Sequence, residues 1–259
     1  MEKLGAGSIR AARAMSAEQI QKGLSGGGMF MFWPVADGHI LPGDQYELYE
    51  AGKFNDTPVL IGTNSDEGGL FVRSGGTSQS FEQQVRSSYG PAADAILAVY
   101  PHATDAEAAK SSQDLFRESG FAWHTWAWAR LQSQKGKNKA YVYYFDHRTP
   151  MSPNGAGHGS EISYVFGNFG GPMGIKPSPE DFKLADLMRA YWINFAKSGD
   201  PNGPGLPEWP AFSEKRQVAM IFNGVSEAKP LPNLDKLKAF EGYYAWRRAE
   251  ARKNSGASE

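Results

Sequence analysis

The sequence predicts an α/β fold, a mainly parallel sheet with helices on both of its faces. Three observations carry that expectation. The run Pro58-Val59-Leu60-Ile61-Gly62 is continuously apolar, as in a strand covered on both sides, and Ala140–Phe145 and Val218–Phe222 read as further strands. Long helical stretches separate these runs, and strands alternating with helices favour parallel pairing. The chain has 259 residues, 41% of them apolar and 13% aromatic, which is enough for one sizeable core.

Taken in order, the helices announce themselves through their first turns. Ser16-Ala17-Glu18-Gln19 is a capping box, in which the hydroxyl caps the third residue and that residue reciprocates; it opens a short helix closed by Gly23. Thr104-Asp105-Ala106-Glu107 opens a second helical region running through Leu115 and Phe116 towards Leu131. Residues 81–134 are almost wholly helical in pattern and read as an insertion between two strands of a single domain that takes in the whole chain. Ser178-Pro179-Glu180-Asp181 opens a third helix, with proline at the favoured first position. There Phe182, Ala185, Met188, Trp192 and Phe195 recur at three- and four-residue spacing and predict one buried stripe, ended by Gly199. A last amphipathic helix is expected from about Leu234 to Arg252, followed by a flexible Ser/Gly-rich tail over 253–259. Three or four strands make a thin sheet for this much chain, and a parallel sheet cut short leaves an apolar edge in need of a partner.

Composition removes several classes of function. Lys and Arg number 27 against 28 for Asp and Glu, a formal net charge of −1, with no long block of like charge, so neither nucleic acid nor an anionic membrane is an expected partner. There is no cysteine, which removes disulfides, thiolate catalysis and thiolate zinc sites. No apolar run approaches the roughly 18 residues of a membrane helix. Met1–Gly5 lacks the apolar centre of a signal peptide, but in a fragment this leaves the compartment of the parent protein unknown.

Two loops could carry chemistry. Gly62-Thr63-Asn64-Ser65-Asp66-Glu67-Gly68-Gly69 comes directly after the first apolar strand, and in open α/β sheets reactive groups gather at the carboxyl ends of strands. Read alone it is more simply a polar turn, with Ser65 or Asp66 capping the next element. Gly155-Ala156-Gly157-His158-Gly159-Ser160-Glu161 sets a histidine among glycines, whose backbone freedom could carry the ring into a cleft, and imidazole suits general-base work near neutral pH. An ordinary loop histidine would read the same way. Together they match the order acid, then histidine, of a Ser–acid–His triad on an α/β-hydrolase fold, the carboxylate orienting the ring and the ring accepting the serine proton. No His-x-x-x-His pair occurs, and His158 with Glu161 is too little for a metal; Glu161 is expected to brace the histidine loop. The cluster Trp123, His124, Trp126 and Trp128 lies at helical spacing and is expected to be core. Lys135–Lys139 reads as an exposed loop.

Longer motifs resemble the type-B carboxylesterases, the family that includes the cholinesterases. Phe32-Trp33-Pro34-Val35-Ala36-Asp37-Gly38 with Leu41-Pro42 is similar to the family's segment before the acid. Pro58 to Gly68 resembles its acid motif, with Glu67 in the place of the triad acid, and His158 to Gly167 its histidine motif, with His158 as the triad base. Tyr191 to Asn202 and Trp209-Pro210 are similar to its late helix and the loop after it. The matches fall in family order from about Ser16 onwards. The resemblance implies the C-terminal part of an α/β-hydrolase fold, a small carboxylic ester as substrate, and no cofactor. It also places the tryptophan cluster either in the core or in the wall of an acyl pocket.

The family's nucleophile elbow and Gly-rich oxyanion loop have no counterpart in this sequence. Gly23-Leu24-Ser25-Gly26-Gly27 fits Gly-x-Ser-x-Gly, but an elbow needs a strand before the serine and a helix after it, whereas Ser25 comes after a helix end and enters a glycine run. It is therefore not assigned as a nucleophile. The expectation is an ester hydrolase inactive as this chain alone, supplied with its nucleophile by an N-terminal companion polypeptide. The alternatives are a catalytically inactive cholinesterase-like binding module and an inactive truncated fragment.

Overall fold

A computed structural model describes residues 2–25, 34–72, 75–170 and 176–256. Gly26 and Gly27 of the Gly-x-Ser-x-Gly match, Phe32 and Trp33 of the first family-like segment, and the last three residues of the tail lie outside the described residues. The chain divides into two compact units, residues 1–48 and 49–259.

The first unit holds the short helices α1 (Ile9–Arg13) and α2 (Ala17–Leu24) and the start of α3 (Gln45–Glu50). Ser16 and Gln19 form the reciprocal cap at the start of α2, with Ser16 Oγ accepting from the Gln19 N–H at 3.1 Å and the Gln19 side chain accepting from the Ser16 N–H at 2.8 Å. None of the described residues of this unit is buried.

The second unit contains the sheet. Strands β1 (Val59–Asn64), β2 (Ala140–Phe145), β3 (Val218–Phe222) and β4 (Glu227–Pro230) lie in that order across it. β1–β2 and β2–β3 pair in parallel, and β4 returns antiparallel to β3. In register, Leu60 stands beside Tyr141 and Gly62 beside Tyr143. Gly62 is needed there, because a methyl group would lie 2.3 Å from the Tyr143 ring.

The pleat sends alternate side chains of β2 to opposite faces. Tyr141, Tyr143 and Phe145 pack with Met220 and Phe222 of β3, with Tyr164 of α8 (Ser160–Phe166), and with Leu184, Ala185, Met188 and Tyr191 of α9 (Pro179–Ser198). Trp209 fills the centre of this layer and donates its indole N–H to the Val142 carbonyl at 3.1 Å. On the other face, Val142 and Tyr144 line a small cavity together with Thr125 and Trp126 of α7 (Trp123–Lys135) and Leu237 of α10 (Leu234–Gly256). The sheet is thus covered by helices on both sides.

Between β1 and β2 the chain is helical: α4 (Ser78–Tyr89), α5 (Ala93–Leu97), α6 (Asp105–Arg117) and α7. α6 opens on the Thr104–Glu107 cap. α6 and α7 are joined without a break by a π-turn over Glu118–Ala122, so a wide turn interrupts what the sequence suggests is one helix. Trp123 and Trp126 are buried, Trp123 stacking on Tyr244 of α10 at 3.8 Å between centroids, while Trp128 is half-exposed and donates to the Tyr49 hydroxyl. The 135–139 loop is tied down by Asp56, whose carboxylate accepts from the Lys137 and Asn138 N–H groups and from Gln132 Nε2.

Further features differ from the sequence reading. The stripe on α9 is turned, so that Asp181, Leu184, Ala185, Met188 and Tyr191 are buried while Phe182 is 53% exposed. The cause is Asp181, which is drawn inward by the Tyr164 hydroxyl and by His147 at 2.6 and 2.7 Å as well as by its cap to Ser178. These bonds hold the Asp181 carboxyl down at about 2 against the opposing effect of burial. β4 and α8 carry no sequence signal, and α10 runs on to Gly256.

Trp209 is fully buried and Phe166 is 75% exposed. We expect Trp209→Ala to lower unfolding free energy in urea by about 3–5 kcal/mol, and Phe166→Ala by about 0.5 kcal/mol or less. Equal effects would contradict the placement of Trp209 at the centre of the core.

Candidate active site

Glu67 and His158 reach each other because their loops leave the same ends of neighbouring parallel strands. Asn64, the last residue of β1, pairs in register with Phe145, the last of β2. The pairing then continues past the strands: the Ser65 N–H donates to the Phe145 carbonyl at 2.9 Å and the Asp66 N–H to the Ala156 carbonyl at 2.8 Å. In return the Ala156 N–H donates to Ser65 Oγ at 2.8 Å. The acid turn and the histidine loop are therefore stitched together before either functional side chain is considered.

Within that frame His158 Nδ1 lies 2.6 Å from Glu67 Oε2. The second Glu67 oxygen accepts the Asn64 N–H at 2.8 Å, so the carboxylate is held at both ends. Asn64 Nδ2 also donates to the Gly157 carbonyl at 2.8 Å and to Glu161 Oε2 at 2.6 Å. Glu161 stands in the first turn of α8, so this bond ties the helix after the histidine to the end of β1. Gly159 takes a φ of +76° at the start of α8, a conformation that suits glycine and lets the helix begin at Ser160, two residues after His158.

Aromatic rings close around the imidazole. Phe71 lies edge-on to His158 at 5.3 Å and Phe121 at a tilt at 5.0 Å, centroid to centroid. Phe121 belongs to the π-turn. Just before that turn, the buried Arg117 points Nη1 at the Ser65 carbonyl at 2.5 Å and shares its remaining N–H groups with Glu118. A bulkier residue at Gly68 is shut out, since a methyl group would meet the Gln113 carbonyl oxygen at 2.1 Å.

Electrostatics reflect burial. Desolvation pushes the Glu67 carboxyl above its ordinary value of 4.5, against the pull of the Asn64 N–H and of His158. Asp66 is also raised by burial, with Lys110 and Arg117 opposing. The Tyr143 hydroxyl is pushed up by burial and by the nearby Glu161 and Glu67 carboxylates. The His158 side chain keeps 42% of its surface exposed while that of Glu67 keeps 7%: a buried carboxylate behind an open imidazole. With Nδ1 facing Glu67, Nε2 is the nitrogen free to accept a proton.

Of the residues marked by sequence, Glu67, His158, Glu161 and Ser65 meet in one constellation. Asp66 takes part through its backbone. Ser25 caps the end of α2, its Oγ donating to the Lys22 carbonyl at 2.6 Å, with no strand before it. Sequence reasoning overlooked Asn64, Arg117, Phe71 and Phe121. Asn64 stood inside the acid motif and could have been suspected as the residue ending the strand. Among the described residues there is no cluster of three or more metal-ligating side chains, and no helix is long and apolar enough to cross a membrane.

The model of the carboxylesterase family matches residues 9–236. A pyrethroid hydrolase of Mus musculus is 29% identical over 235 residues, covering 82% of this chain and 42% of its own length. The cocaine esterase of Homo sapiens is 28% identical over 210 residues, covering 72% and 37%. A solved carboxylesterase of Geobacillus stearothermophilus superposes with a TM-score of 0.74 at 27% identity, covering 92% of this chain and 52% of that one. A PNB esterase structure superposes equally well at 24% identity, which speaks for the fold. The chain thus spans about half the length of these solved structures, and less of the curated relatives.

Because the folded chain holds a proton on Glu67 more tightly than the unfolded one, this group contributes stability below pH 4.5 that is lost as pH rises through its raised folded value. Subtracting the stability of Glu67→Gln from that of the wild type, measured by urea unfolding across that range, should give a difference that falls with rising pH. A flat or rising difference would remove burial as the dominant influence on Glu67.

Proposed function

The chain belongs to the carboxylesterase family, and from that premise we propose that it supplies the acid and base of a serine-type carboxylic ester hydrolase, Glu67 and His158, to a nucleophile carried by an N-terminal companion. The observation that carries this reading is the 2.6 Å contact between a buried carboxylate and an exposed imidazole at the carboxyl ends of two parallel strands. Glu67 holds the ring with Nδ1–H towards itself. Nε2 takes the proton of the attacking hydroxyl, whose oxygen bonds to the ester carbonyl carbon. The same proton then passes to the departing alcohol as the carbon–oxygen bond breaks. His158 next deprotonates a water that releases the acid and restores the hydroxyl. Glu67 stabilises the imidazolium that forms at each stage. No cofactor enters these steps.

Support for a companion comes from the sheet and from the first unit. β1 is the outermost strand on its side of the described sheet. Its edge opens into a largely apolar groove in which Leu60, Ile61, Trp128, Tyr143 and Trp192 stand with the polar His124 and Thr125, a surface that a neighbouring strand would cover. Residues 2–25 and 34–48 likewise carry apolar side chains such as Ile9, Val35 and Ile40 without burying any of them. A further strand and its helices would cover such surfaces. The substrate class is a carboxylic ester. The names of the relatives refer to pyrethroids and cocaine, and those specificities belong to those proteins.

Fluorophosphonate labelling with intact-mass analysis of each polypeptide tests where the nucleophile lies. Label on a second polypeptide is expected, and label on this chain would overturn the assignment. In the complete assembly, His158→Ala or Glu67→Gln should lower kcat/KM for a nitrophenyl ester by roughly a thousandfold or more. Near-normal turnover in either variant would refute these roles for the acid and the base. Tight association with a partner and no ester turnover by the wild-type assembly would point to a binding module.

A further inference from the structure

We propose that Asn154–Gly155 is a site of spontaneous covalent modification, at which the asparagine cyclises and opens to isoaspartate within the histidine loop. The inference stands apart from ester hydrolysis, since it concerns the chain's own backbone. Asn–Gly is the dipeptide most open to this reaction, because glycine places no side chain in the path of its own nitrogen. The sequence contains three such dipeptides, at Asn154, Asn202 and Asn223. The structure separates them.

Asn202 is held at both ends of its amide. Nδ2 donates to Asp200 Oδ1 at 2.8 Å and to the Trp209 carbonyl at 2.9 Å, while Oδ1 accepts the Trp209 N–H at 2.7 Å. Asn223 is held through Oδ1, which accepts the Val225 and Ser226 N–H groups at 3.0 and 3.3 Å. Asn154 is exposed and sits in a turn, and its side chain has no hydrogen bond among the described residues. The Gly155 N–H has none either. At Asn154 the side chain can therefore rotate onto the next nitrogen without giving up a partner; at the other two it cannot.

The Gly155 nitrogen, having lost its proton to base, attacks Asn154 Cγ. A carbon–nitrogen bond forms, the side-chain amide leaves as ammonia, and a five-membered imide remains. Water then adds to one of the two imide carbonyls and breaks its bond to nitrogen, giving aspartate or isoaspartate. The net change is replacement of an amide nitrogen by an oxygen, with one water consumed and one ammonia released, and no oxidant is needed.

The position gives this chemistry a consequence. Gly155 is buried with a φ of +148°, and a methyl group on it would stand 2.7 Å from Ser65 Oγ and 3.1 Å from Asp66 Cβ. Ala156, the next residue, makes both hydrogen bonds that stitch the loop to the acid turn. Isoaspartate lengthens the main chain by a methylene group immediately before this tight passage and adds a negative charge beside a loop that already packs on Asp66. The stitch, and with it the approach of His158 to Glu67, is the structure placed under strain.

The test is ageing of the purified chain in mildly alkaline buffer, followed by peptide mass mapping and enzymatic methylation of isoaspartyl groups. Conversion at Asn154 is expected to run about tenfold or more ahead of Asn202, with Asn223 between them, the difference reflecting the hydrogen bonds each must surrender. Asn154→Ser should abolish the early isoaspartyl signal. Conversion of Asn202 or Asn223 as fast as Asn154, or an undiminished early signal in Asn154→Ser, would overturn the assignment. The loop consequence has its own readout: the imidazole resonances of His158 should move in aged wild type and stay in place in Asn154→Ser aged alongside. Unmoved resonances in fully converted protein would show that the loop absorbs the change.

Discussion

The paired backbone bonds between the acid turn and the histidine loop are the constraint on which the site depends. Parallel strands end side by side, but loops leaving them usually diverge, since nothing in the sheet obliges them to stay together. In this chain the ladder is prolonged for several residues beyond β1 and β2, through the Ser65 and Asp66 N–H groups on one side and the Ala156 N–H on the other. Two segments 91 residues apart in sequence become one rigid platform. Arg117 reinforces the platform from beneath, and Asn64 binds it to α8 through Glu161.

Electrostatics and packing then divide the labour. Glu67 lies behind the platform, where burial works against its charge and the Asn64 N–H and the imidazole work for it. His158 lies in front, open on one side and flanked by Phe71 and Phe121. In the proposed reading, a carboxylate shielded from water and an imidazole exposed to it would let the first orient the second while only the second meets a substrate.

Much of this was legible in sequence where the signal is local. The caps at Ser16, Thr104 and Ser178 sit where their three-residue spacing puts them, because a cap involves only its own turn. The three apolar strands were visible by composition and the order of Glu67 and His158 by motif. What escaped were contacts between distant segments. Asp181 turned α9 because of Tyr164 and His147, and no periodicity count can see those partners. β4 is a polar edge strand with two lysine- or glutamate-bearing positions, and α8 starts from a glycine without a side-chain cap, so neither announced itself. Arg117 reaches Ser65 across 52 residues, and the value of Phe121 depends on a helical irregularity with no residue signature of its own.

That irregularity sets the phase of everything after it. A π-turn inserts one extra residue into a helix, so the part beyond it is rotated by about 100° relative to an unbroken continuation. Arg117 before the turn and Glu118 at its first residue point to the interior, Phe121 within it points to the imidazole, and Trp123 and Trp126 after it point to α10 and the sheet. Loss of a single residue between Glu118 and Ala122 would heal the helix and turn α7 by roughly a quarter of a revolution, carrying its buried tryptophans towards water. In evolutionary terms this short stretch should tolerate changes of side chain far better than changes of length, since its residue count is the gearing between the buried charges, the ring on the histidine and the packing of the last helix.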